Sequence, residues 1–273
     1  MKRLFISVDN EGVGGVVTWE SHGRPGAFEY ERMREWMTNE ALAAVEAALE
    51  WGVDEVIVAD SHGNGENLLV DRFPQNGVSI VRSWPRPLSM AEGVELPGVI
   101  AAMFIGYHTS TVAEAGGLRH VLSSARFTDI RVNGVSASET TIHAAIAGHY
   151  GVPLILVSGD DAYTDYAQKL LGDVEAVTTK WARGFTSART LVPAQCATLI
   201  GEASTRALQR LSEFSVYSIP GPIELEIDFR NVLAAELSAY LPGVEKTGSL
   251  SIRCELDDIV AVSKFLGFLA QYK

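Results

Sequence analysis

The chain has 273 residues and a net charge of −12 at neutral pH, from 22 Lys and Arg against 34 Asp and Glu. That acidic balance argues against nucleic-acid or anionic-membrane partners, which need a basic face. No apolar run reaches the ~18 residues of a membrane span. Hydrophobic residues make up 47%, enough to build the core of one large α/β domain or two smaller ones. Two cysteines, Cys196 and Cys254, are too few for a disulfide framework and read as free thiols. With no basic-then-apolar leader ahead of the first strand, the expectation is a cytoplasmic globular protein.

The first predicted element is a strand, Leu4 to Val8. A glycine-rich loop follows (Gly12, Gly14, Gly15), then a polar loop with His22, Gly23, Pro25 and Gly26. Met33, Met37, Ala41, Ala44, Val45 and Ala48 recur at three- and four-residue spacing, which predicts a helix from about Phe28 to Trp51 with one apolar face. Gly52 is its stop. Strands follow at Glu55 to Ala59, Val78 to Arg82 and Ile100 to Gly106; Trp84-Pro85-Arg86-Pro87 between them must leave the sheet. Residues 109 to 118 read as a loop over the strand ends. A hairpin around Ile130 to Val135 turns at Asn133-Gly134. Ser138 caps a helix from Glu139 to Tyr150, and Leu154 to Val157 is another buried strand, ending near Asp160 and Asp161.

After about residue 190 the order is helix (Pro193 to Leu211), strand (Ile223 to Asp228), helix (Asn231 to Tyr240), strand (Gly248 to Cys254) and helix (Asp257 to Gln271). The expected fold is α/β. A three-layer αβα sheet domain over 1–190 carries a metal site at its strand ends. A smaller C-terminal α+β unit over 191–273 packs on the first or serves oligomerisation.

Three strands end in potential metal ligands: Asp9-Asn10-Glu11-Gly12, Asp60-Ser61-His62-Gly63, and His108 after Gly106-Tyr107. In an open parallel sheet the carboxyl ends of the strands share one edge, and ligands bind there. Carboxylates and imidazoles are ligand types that zinc accepts, although manganese or cobalt would also suit them. Each residue also has a plain structural role open to it, such as a cap or a loop hydrogen bond. Glu139 opens a helix, where the macrodipole favours an acid. Glu139-x-x-x-His143 could supply two ligands, or His143 could face the core. His120 follows the 109–118 loop, which could bring it to the site. Asp160 and Asp161 read as helix caps, with Asp160 also open as a supporting group. The Gly12–Gly15 run has neither dinucleotide-fingerprint spacing nor a P-loop lysine, and no Gly-x-Ser-x-Gly elbow occurs.

The ordered set Ser7-Val8-Asp9-x-Glu11-Gly12, Asp60-Ser61-His62, Gly106-Tyr107-His108, His120 and Glu139 resembles the zinc-dependent D-aminopeptidases of the DppA type, peptidase family M55. Weaker echoes run through Ser89-Met90-Ala91-Glu92-Gly93, Gly159-Asp160-Asp161 and Lys180. The resemblance covers most of the chain. It implies two zinc ions (Zn2+) per subunit, with Asp9 bridging them, Glu11 and His62 on one, and His108 and Glu139 on the other. It implies that His120 is the catalytic side chain near the reacting carbonyl. It implies short peptide substrates with an N-terminal D-residue such as D-Ala, and a ring-shaped homo-oligomer, decameric in the best-known member. Asn10 stands where the family has an apolar residue, and the loop from His108 to His120 is one residue longer than the pattern. Two other functions fit the same residues: a metal-dependent amidohydrolase for cyclic amides or N-acyl groups, and a non-enzymatic peptide- or phosphate-binding module using the glycine-rich loop.

Overall fold

The computed structural model describes residues 1–272. The chain runs β1 (Arg3–Val8), α1 (Trp19–His22), α2 (Tyr30–Trp51), β2 (Glu55–Asp60), β3 (Val78–Val81), β4 (Val99–Tyr107), β5 (Phe127–Val132) and β6 (Val135–Ser136). It continues through α3 (Glu139–His149), β7 (Leu154–Asp160), α4 (Asp161–Leu171), β8 (Glu175–Gly184), β9 (Ser187–Thr190) and α5 (Pro193–Gln209). The last elements are β10 (Ile223–Phe229), α6 (Val232–Ser238), β11 (Val244–Lys246), β12 (Ser251–Leu256) and α7 (Ile259–Gln271). No described helix is long and apolar enough to cross a membrane.

The larger sheet has seven strands in the order β3-β2-β1-β4-β7-β8-β9. All neighbours are parallel except β8 and β9. Strands covered on both faces become continuous apolar runs. In β1, Leu4, Phe5, Ile6 and Val8 are all fully buried, each contributing about 1.5–3 kcal/mol relative to exposure. Leu4, Ile6 and Val8 face α2 and α5. Phe5 faces the other way, into a core shared with Phe104, Ile142 and the inner residues of the second sheet, such as Ile130 and Leu225. The long helix carries the expected buried stripe, from Met33 and Met37 to Ala44, Val45 and Ala48, and stops at Gly52, whose φ of 101° is open to glycine.

The second sheet has the order β11-β12-β10-β5-β6. Its strands come from both sides of residue 190. The hairpin of β5 and β6 leaves the first part of the chain to pair antiparallel with β10, and α5, which follows residue 190, lies with α2 against the larger sheet. The physical reason is the pattern of each element. β5 buries Phe127, Ile130 and Val132 and leaves the residues between them half-buried, as an antiparallel strand covered on one face does, whereas α5 carries an apolar stripe (Ile200, Ala203, Ala207, Leu208) that matches the stripe of α2. The hairpin turn has positive φ at both Asn133 (52°) and Gly134 (77°), the geometry an Asn-Gly turn favours.

Candidate metal centre

The strand order explains why distant residues meet. β1 lies between β2 and β4, parallel to both, so the residues just past Val8, Asp60 and Tyr107 occupy one edge. Between β1 and β4 the chain's direction of travel across the sheet reverses, which opens the crevice where doubly wound folds bind ligands. The loop after β1 is pressed onto the end of β4: Gly12 donates its N–H to the Gly106 carbonyl at 2.7 Å. A Cβ on Gly106 would collide with the Asp9 carbonyl, and one on Gly12 with that of Tyr107.

All six residues singled out from the sequence converge here. His62 Nδ1 lies 3.2 Å from both Asp9 Oδ1 and Glu11 Oε2. His108 Nε2 lies 3.4 Å from Asp9 Oδ2 and 3.2 Å from Glu139 Oε2. Asp9 therefore offers one oxygen to each histidine. His120 is stacked on His108 with ring centroids 4.2 Å apart, and its Nε2 is 3.9 Å from Glu139 Oε1. Potential donors fall into two groups, Asp9, Glu11 and His62 in one and His108, His120 and Glu139 in the other.

The fit to a cation rests on how the histidines are held. His62 sets Nε2 3.0 Å from the Gly23 carbonyl, His108 sets Nδ1 2.8 Å from that of Thr109, and His120 sets Nδ1 3.0 Å from that of Leu118. Each outer nitrogen thus donates to a backbone oxygen, and each inner nitrogen turns a lone pair toward carboxylates. Such an arrangement orients metal-ligating imidazoles, and it is repulsive unless a proton or a cation lies between. His108 Nε2 is buried with no hydrogen-bond partner. Burial lifts the Asp9 carboxyl above its usual range, and the charge of Glu11 adds to that. Burial acts upward on Glu11 and Glu139 too, but the facing His62 and His108 outweigh it and hold both carboxyls low. Conversely, burial lowers the two imidazoles, and Glu11 and Glu139 drive them well above the usual histidine value. Three buried carboxylates thus draw positive charge to one spot, and the oxygen and nitrogen donors suit zinc.

The remaining residues take structural roles. His143 is fully buried on α3, with Nδ1 2.7 Å from the Glu139 carbonyl, and burial lowers its pKa to about 4; it faces the core. Asp160 caps α4 through the Tyr163 N–H and also accepts from Gly117. Asp60 accepts the N–H groups of Asn67 and Leu68, which fixes the loop behind His62. His22 is buried beside Glu29, at 3.2 Å. The glycine-rich loop is no phosphate cradle, because its amides are committed: Gly12 to Gly106, Gly14 to Glu40 and Gly15 to Thr190.

Two contributors stand outside these six. Trp19, on the four-residue α1, donates its indole N–H to Glu11 Oε1 at 2.8 Å and stands edge-on to His120 at 5.3 Å. The only sequence sign of α1 is Thr18, whose hydroxyl accepts from the Ser21 N–H. Lys180, buried on β8, donates to the carbonyls of Glu11, Val13 and Val16. A cavity of about 560 Å³ opens onto this cluster, walled by Trp19, Trp84, Met90 and, from α7, Leu266 and Ala270.

The family model of the D-aminopeptidases, Peptidase M55, matches residues 1–268. A D-aminopeptidase of Bacillus subtilis (strain 168) is 30% identical over 262 residues, covering 94% of this chain and 93% of that protein. The structure of the Zn-dependent D-aminopeptidase DppA from Bacillus subtilis, described as a self-compartmentalizing protease, superposes with a TM-score of 0.91 at 29% identity, covering 99% of this chain and 98% of that one. The chain belongs to the M55 family of peptidases, the D-aminopeptidases.

Proposed function

We propose that the chain is a zinc aminopeptidase that removes N-terminal D-residues such as D-Ala from short peptides. The observation that carries it is the orientation of the three histidines: their outer nitrogens are tied to backbone carbonyls and their inner nitrogens face buried acids. Asp9 would be shared between two ions, with Glu11 and His62 beside one and His108 and Glu139 beside the other; the two oxygens of Asp9, each turned to a different histidine, support this. Two zinc ions there would supply Lewis-acid polarisation of the peptide carbonyl and lower the pKa of water to make the nucleophile.

The chain's own residues do the rest. Trp19 holds Glu11 from one side and Lys180 holds its backbone from the other, so the loop is preorganised. His120 stands at the rim of the cluster, half-buried, where the Nε2 lone pair can take the proton released by the attacking water and pass it to the departing amine. The apolar wall of Met90, Leu266 and Ala270 excludes water around the N-terminal residue. A band of exposed apolar residues on α6 and α7 (Leu233, Leu237, Phe268) and Tyr240 just beyond α6 supports self-association, in line with a homo-oligomer up to a decamer. The two buried free thiols suit the cytoplasm.

The test is hydrolysis of D-Ala and L-Ala dipeptides by the purified protein, with and without a chelator, alongside its mass by light scattering. D-selective cleavage lost on chelation and restored by zinc is expected. Cleavage that survives complete metal removal would overturn the metallopeptidase reading, and L-selectivity would overturn its stereochemical part.

A further inference from the structure

A second hollow, of about 360 Å³, adjoins the main cavity at His120, and none of Asp9, Glu11 and Glu139 lines it. It shares Trp19, His120 and Ser124 with the main cavity and is otherwise lined by Thr111, Phe185, Arg119 and Arg230. Its charge is opposite to that of the metal centre. Two guanidinium groups line it, no carboxylate does, and neither arginine has an acidic partner within ion-pair distance among the described residues.

The hollow is also prepared for a ligand. Arg119 donates one N–H to the Gly116 carbonyl at 3.0 Å and lies over the Phe185 ring at 5.6 Å, so its guanidinium is positioned while other donors remain free. Arg230 comes from the end of β10, and its side chain makes no hydrogen bond within the described residues. The loop carrying His120 takes positive φ at Leu118 (50°) and Leu122 (53°), a conformation non-glycine residues seldom adopt and one that collects at functional sites.

We propose that this hollow binds the C-terminal carboxylate of the leaving fragment, with Arg119 and Arg230 as its cations. The inference rests on the aminopeptidase reading above and names its substrate class: short peptides with a free C-terminal carboxylate. The placement follows from the reaction. The N-terminal residue occupies the main cavity, the scissile carbonyl lies at the acidic cluster, and the departing amine is next to His120. The remainder of the peptide must continue past His120, which is where the two arginines stand. Planar guanidinium groups match a carboxylate in shape and charge. A peptide too long to bring its carboxylate to them forgoes that attraction.

The experiment compares kcat/KM of the zinc-loaded enzyme for D-alanylglycine and D-alanylglycinamide, with D-alaninamide as a substrate that has no tail. The wild-type chain is expected to prefer the free acid by about tenfold or more, as loss of a charge-assisted hydrogen bond implies. In Arg230→Met the ratio of acid to amide falls toward one, mainly through KM for the acid. Arg119→Met has the same effect, but its contact with Gly116 also supports the loop, so Arg230→Met is the deciding variant. A wild-type ratio near one, or the same ratio in both variants, overturns the carboxylate site while cleavage of D-alaninamide keeps the aminopeptidase reading. No cleavage of any D-substrate by the zinc-loaded protein overturns both.

Discussion

Lys180 holds Glu11 by its backbone: the buried ammonium on β8 donates to the Glu11 carbonyl, and also to Val13 at 3.0 Å and to Val16. One side chain therefore ties the whole loop after β1 to a strand three places along the sheet. Lys180→Met removes the donors and leaves three inward carbonyls to find others. Stability is expected to fall by about 2–4 kcal/mol, read as a lower denaturant midpoint, with weaker zinc retention because Glu11 loses its anchor. Unchanged zinc affinity would show that Trp19 alone holds Glu11 in place.

His120 sits close enough to Glu139 to be a ligand and far enough out to be an acid catalyst. The two roles separate in one variant. His120→Gln is expected to lower kcat by about 10²–10⁴-fold while zinc content by atomic emission stays at two per chain. A fall to one zinc would make His120 a ligand instead.

Stripping the metal leaves Asp9, Glu11 and Glu139 buried together, compensated by histidine protons and by single N–H donors from Asn10, Trp19 and Leu122. The metal-free protein is expected to melt several degrees lower, and to regain that margin as zinc is titrated in. Glu11→Gln and His62→Ala each act on one of the two groups of donors, so each should retain about one zinc per chain and lose nearly all activity. Two zinc ions retained in His62→Ala would exclude it from the donor set.

Glu40 gives a pH signature separate from catalysis. It is fully buried on α2 and accepts the Gly14 N–H at 2.9 Å through Oε1, while Oε2 has no partner. Burial lifts its pKa to about 8, against the pull of the Gly14 hydrogen bond and of Lys180. The folded chain then keeps a proton that the unfolded chain releases above the ordinary value of 4.5. Stability contributed by this group is complete in acid and is lost as pH rises toward 8. Glu40→Gln keeps an acceptor for Gly14 without the ionisation. Its stability relative to wild type is expected to increase between pH 4.5 and 8, reaching roughly 3–5 kcal/mol. A constant difference across that range in urea titrations would show that Glu40 ionises freely.

The strand-end residues were readable from the sequence because β1, β2 and β4 are buried on both faces and announce themselves as apolar runs that stop at a polar cluster. β8 and β9 were not readable. They form the edge of the sheet, and Thr178, Lys180, Arg183 and Arg189 break up any apolar run there. The Asn133-Gly134 turn was visible but its destination was not, since Arg131 of β5 is paired with Glu226, 95 residues on. Trp19 escaped notice because a single turn of helix leaves no periodicity to detect, and its bond to Glu11 exists only once the loop has folded back.

The excursion of β5 and β6 into the second sheet bears on when the enzyme comes alive during synthesis. It departs between His120 and Glu139 and is completed by a strand beginning at Ile223. A ribosome delivers the chain from its N-terminus, so all six site residues emerge long before the strand that settles the segment joining two of them. The second sheet is then complete only when more than four-fifths of the chain has been made, and a shorter nascent chain holds the six residues without the strand that pairs with the segment between His120 and Glu139.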